Sequence, residues 1–122
     1  MNVILIINKY LDDREFRNYC SYWITKLGYK NIEIEDPRVS DGIKKNDNDF
    51  FANKGKKRYT VQTFLNKEVT EKEVNETIKD MIKEKVDNGL IITNKDVSPE
   101  FRKFAKEKSI EIIDKKKFTE EI

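Results

Sequence analysis

Between Lys57 and Thr93 the apolar residues first alternate, then recur every three or four positions, and then run together. This succession of strand, amphipathic helix and buried strand restricts the fold more than any other feature of the chain. Tyr59, Val61, Thr63 and Leu65 share one face of the first strand, and Thr60, Gln62 and Phe64 share the other, because successive side chains of a strand point to opposite faces. Thr70-x-x-Glu73 is a capping box opening a helix whose apolar face is Val74, Ile78, Met81, Ile82 and Val86, and Asn88-Gly89 marks its end. Leu90-Ile-Ile-Thr93 is short and apolar throughout, as a strand covered on both faces should be.

The flanking segments extend the same plan. Asp49–Asn53 and Lys57–Leu65 form a hairpin around a turn at Asn53-Lys-Gly55. Upstream, Phe16, Tyr19, Cys20, Trp23, Ile24 and Leu27 keep helical spacing, which predicts a helix over Asp13–Leu27 capped by Gly28. Ile32 and Ile34 alternate with Glu33 and Glu35 in a half-buried strand that Pro37 stops, and Val3–Ile7 reads as a further strand in front. Ser98-Pro99 starts another helix, with Phe101, Phe104 and Ala105 turned inward; Ile110–Ile113 is the last strand and Lys115–Ile122 a terminal helix. The expected architecture is α/β: a mixed β-sheet flanked by helices on both faces, in one domain spanning residues 1–122.

Composition narrows the function by exclusion. With 37% hydrophobic and 39% charged residues the chain is very polar, yet its apolar residues fall in periodic blocks, so it folds rather than staying disordered. The 25 basic and 23 acidic residues nearly cancel, so any nucleic-acid surface has to come from local clustering. Absence of histidine excludes an imidazole base, Ser-His-Asp and Cys-His chemistry, and a His-containing zinc site. The single cysteine, Cys20, sits at an apolar helical position and reads as packing. Val3–Ile7 is too short to span a membrane and lacks the features of a secretory leader, which makes a cytoplasmic protein with no membrane partner the expectation.

Leu27-Gly-Tyr29, Asp49, Lys57-Arg-Tyr-Thr-Val-Gln62, Val69-Thr-Glu-Lys-Glu-Val74, Gly89-Leu-Ile-Ile-Thr93, Ser98-Pro-Glu-Phe-Arg-Lys-Phe-Ala105 and Ile110-Glu-Ile-Ile-Asp114 follow one another in an order and spacing that resembles the Mrr-type restriction endonuclease domain. The resemblance runs from about Phe16 to the C-terminus and implies a restriction-endonuclease-like fold of the PD-(D/E)XK superfamily. In that superfamily an Asp and a Glu or Gln bind a divalent metal while a Lys assists the attacking water. By resemblance Asp49 matches the Asp and Gln62 the Gln of the Gln-x-Lys motif. A hard cation such as Mg²⁺ seeks oxygen ligands and acidifies bound water, which explains the need for these residue types.

Two positions after Gln62, on the same strand face, stands Phe64 where the family carries lysine. A phenyl ring neither ligates a metal nor stabilises negative charge. Lys67 and Lys72 are the lysines that could substitute from nearby, or else ordinary surface residues. Asp47 could join Asp49 as a second metal carboxylate, or belong to a polar turn. Glu15 could complete such a site, or serve as a first-turn acid favoured by the helix dipole. Lys54, Lys56, Lys57 and Arg58 form a basic cluster on the hairpin turn, expected beside the site as a phosphate-binding surface or else a solvated turn.

Three functions remain compatible with these residues. One is a DNA-binding member of the nuclease family with weak or absent cleavage. Another is an active Mg²⁺-dependent DNA endonuclease with a relocated lysine. The third is a structural or regulatory interaction module without nucleic-acid binding. Cutting both strands needs two sites, so a homodimer is one option.

Overall fold

The computed structural model describes residues 11–34 and 49–120. In chain order these form α1 (Asp13–Trp23) with a 3₁₀ turn (Ile24–Leu27), β1 (Lys30–Glu33), β2 (Asp49–Lys54), β3 (Lys57–Phe64), α2 (Glu71–Glu84), β4 (Asn88–Thr93), α3 (Pro99–Lys106), β5 (Ile110–Ile113) and α4 (Lys115–Glu120). The strands make one sheet in the order β1-β2-β3-β4-β5. Pairing is antiparallel from β1 to β3 and parallel from β3 to β5. The change of direction follows from the connections: a two-residue loop can only reverse the chain, whereas the helix after β3 and the helix after β4 carry it back to start parallel.

Helices cover both faces, as expected. Phe16, Cys20, Trp23 and Ile24 pack with Phe50, Ala52, Tyr59, Val61, Leu90 and Ile92 on one side. On the other, Val74, Ile78, Met81, Phe101, Phe104 and Ala105 pack with Phe64, Ile91, Ile110 and Ile112. The two faces of β3 thus divide as its alternation requires. Burial of β3 is complete from Tyr59 to Phe64, because it is the central strand.

Several boundaries differ from the sequence reading. The first helix tightens into the 3₁₀ turn before Gly28, which takes the left-handed φ of 97° that favours glycine. The hairpin loop is Gly55-Lys56, one residue later than expected, because Lys54 pairs with Lys57; Gly55 supplies the positive φ of 62° that primed turns require. Ile32 is half-buried within β1, but Ile34 lies past the end of the strand and is exposed. The second helix ends at Glu84 with Lys85 as a left-handed cap, and Val86 lies beyond it. Gly89 belongs to β4 instead, where an added Cβ would stand 2.8 Å from Thr77 Cγ2 and 3.1 Å from Met81 Sδ and Ile110 Cγ1. Glycine there lets α2 close onto the sheet. The predicted strand Val3–Ile7, Glu35, Pro37 and Asp47 lie outside the described residues.

Candidate active site

Asp49 opens β2 directly opposite Gln62 on β3. Residues directly opposite in an antiparallel pair project to the same face, and Phe64, two positions on, projects there too. Phe64 in turn pairs with Thr93 at the end of β4. The three residues singled out in the sequence therefore meet at one end of the sheet, outside the carboxyl ends of its parallel strands, where open α/β sheets place their ligand sites. Asn66 and Asn94 stitch this end: the Asn66 N–H donates to Asn94 Oδ1 at 2.7 Å, and Asn94 Nδ2 donates to Asn66 Oδ1 at 2.9 Å.

Gln62 is only 3% exposed, so its amide needs partners. Both come from α2: Nε2 donates to Asp80 Oδ2 at 2.8 Å, and Oε1 accepts from the Thr77 hydroxyl. Glu73, one turn earlier and buried, accepts from the Thr70 N–H at 2.9 Å and its hydroxyl at 2.8 Å. Glu73, Thr77 and Asp80 form a polar stripe at helical spacing beside the apolar one. That stripe is present in the sequence and is the signal by which Asp80 and Thr77 can be found; the apolar residues define the helix face more strongly and obscure it.

Phe64 is 4% exposed and packs with Val69, Val74, Ile91 and Ala105. Of the two candidate substitutes, Lys67 brings its ammonium to 5.6 Å from the Phe64 ring centroid, within range of a cation–π attraction. Lys72 lies on the exposed side of the first turn of α2. Glu15 belongs to the other layer, on the helix covering the opposite sheet face, and its carboxylate accepts from the Asp12 N–H at 3.2 Å while Asp12 Oδ1 accepts from the Glu15 N–H at 2.8 Å. This reciprocal capping gives Glu15 a structural role at the start of the helix.

The basic turn is not beside Asp49. Strand β2 has six residues from Asp49 to Lys54, about 17 Å of extended chain at roughly 3.4 Å per residue, so the turn lies at the other end of the hairpin. Its cations are also partly engaged. Lys54 Nζ stands 4.9 Å from the Tyr29 ring centroid. Arg58 donates to Asn53 Oδ1 at 2.8 Å, pairs with Glu33 at 3.1 Å and lies over Phe51. Lys56 and Lys57 are exposed.

A hard cation wants several oxygen ligands, chiefly carboxylate. Asp49 fits that need, with Oδ1 buried. Gln62 does not fit as it stands, since its oxygen is taken by Thr77 and its nitrogen by Asp80. Among the described residues no three Asp, Glu, Cys or His side chains are grouped to hold a metal ion. The same residues contain no helix long and apolar enough to cross a membrane.

A family model described as Restriction endonuclease, of the Mrr catalytic type, matches residues 9–122. No curated protein matches the chain.

Proposed function

Since the chain belongs to the Mrr-type restriction endonuclease family, we propose that it is a DNA-binding member whose cleavage is weak or absent, acting as one domain over residues 1–122. The observation that carries this reading is Phe64, buried in an apolar cluster where the family's strand motif has its lysine. Removing one preorganised electrostatic interaction costs roughly 10²–10³ in rate, and a buried ring offers no replacement. The amide of Gln62, engaged by α2, weakens the metal side of the site as well. Asp49 remains the residue on which residual metal binding would depend, with Asp47 as its partner, Gln62 joining only if its amide left α2, and Mg²⁺ as the cofactor of any cleavage.

The partner under this reading is DNA, bound without sequence specificity through phosphate contacts, in the cytoplasm; a homodimer would bring two such surfaces onto one duplex. Anisotropy of a labelled duplex across a salt series tests it. Binding at low salt that weakens steeply as salt rises is expected, since each neutralised phosphate releases counterions. Absence of binding even at low salt would sink the proposal in favour of a structural or regulatory module.

One observation favours a second reading, an active endonuclease with a relocated lysine: the Lys67 ammonium lies against the Phe64 ring. Under it, Lys67→Ala abolishes metal-dependent nicking while Lys72→Ala does not.

A further inference from the structure

Gln62 lies at a strand position facing Asp49, yet its side chain is bonded to a helix. The amide has one accepting end and one donating end, and α2 meets each with its complement. A carboxylate without a proton can only accept, so Asp80 faces Nε2; a hydroxyl donor then belongs on Oε1, where Thr77 stands. The partners thus determine which way the amide is turned. Thr77 is fully buried, and its Cγ2 sits over Gly89, where an added Cβ would stand 2.8 Å away. Its hydroxyl is also 3.0 Å from the Glu73 carbonyl, which keeps an acceptor available to the same proton.

We propose that Thr77 and Asp80 are positioning residues for Gln62, holding its amide on α2 so that its oxygen stays with the helix when a divalent cation is offered at Asp49. The misfit between this donor set and a hard cation is then the work of two identifiable groups rather than of Gln62 itself. The inference rests on the reading of Asp49 and Gln62 as the family's site, but it concerns the free protein and is measured there.

Gln62 is the only glutamine in the chain, so its side-chain amide is unambiguous by NMR once separated from the asparagines by its carbon shifts. The experiment follows water exchange and chemical shift of that amide in the parent, Thr77→Val, Thr77→Ser and Asp80→Ala, each with and without Mg²⁺. The parent amide should exchange roughly tenfold or more slowly than the exposed Asn75 side chain, as paired buried groups do. Thr77→Val and Asp80→Ala, which remove the donor and the acceptor, should each lose protection and shift the resonance, and Thr77→Ser, which keeps the hydroxyl, should behave as the parent. Mg²⁺ should leave the parent Gln62 resonance in place and move it in Thr77→Val.

Parent exchange as fast as that of Asn75, a resonance indifferent to both variants, or a parent Gln62 resonance that moves with Mg²⁺ would overturn the inference. Should a variant fail to fold, the parent alone decides through its exchange rate and the presence or absence of an NOE between the Gln62 amide and the Asp80 Hβ protons. Failure of DNA binding would count against the proposed function and leave these signals untouched.

Discussion

Phe64 and Lys67 separate two roles that a single lysine would combine. Phe64 is a core residue by the apolar cluster it joins, so Phe64→Ala should destabilise the fold by about 3–5 kcal/mol, the usual cost of removing a buried aromatic side chain. Urea denaturation monitored by circular dichroism measures it. Lys67 is exposed and meets the ring through its ammonium, so Lys67→Ala should cost no more than about 1 kcal/mol. A smaller destabilisation for Phe64→Ala than for Lys67→Ala would mean that the ring sits in a pocket able to accept other side chains. Cys20 follows the core pattern too: burial pushes its thiol pKa well up, as suits a packing residue rather than a nucleophile.

Among the elements, the α2–β4 packing links fold to site most directly. Gly89→Ala would place a methyl group 2.8 Å from Thr77 Cγ2, with Met81 and Ile110 also close at 3.1 Å; overpacking of this kind costs about 1–3 kcal/mol. Calorimetry should therefore show a lower Tm, and an unchanged Tm would show that α2 can lift from the sheet without cost. Most of this architecture is legible in the sequence. The β3 alternation places Gln62 and Phe64 on one face, Ser98-Pro99 marks the start of α3, where Ser98 Oγ accepts from the Phe101 N–H at 3.2 Å, and Gly28 ends the first helical segment. The differences arise where a residue has two uses. Gly89 reads as a helix terminator because glycine commonly is one, whereas close helix packing needs it inside β4; a lysine, Lys85, takes the left-handed cap instead. Thr77 and Asp80 show in the sequence only as part of a polar stripe beside the apolar one; that the stripe bonds Gln62 is tertiary, and periodicity along one helix does not display it.

At the scale of the whole molecule, the hairpin separates the basic turn from Asp49 by about 17 Å of strand. The DNA binding proposed for the turn would thus be distinct from binding at the site. Lys54 and Arg58 are shared with Tyr29, Glu33 and Asn53, leaving Lys56 and Lys57 the more available cations. Reversing the charge at Lys54, Lys56, Lys57 and Arg58 should weaken duplex binding at low salt and flatten its salt dependence, by roughly 0.9 in logarithmic slope for each phosphate that the variant no longer neutralises. Parent-like affinity in that variant would place the DNA surface elsewhere, and Lys56→Glu with Lys57→Glu would show how far the two exposed lysines account for the effect. The family fold persists in this chain while, on the reading proposed here, its hydrolytic site has been dismantled. Supercoiled plasmid incubated with purified protein and Mg²⁺ or Mn²⁺ tests that claim most directly, with Asp49→Ala as the control for contaminating nuclease. Little or no nicking by the parent is the predicted result; metal-dependent nicking that disappears in Asp49→Ala would contradict it.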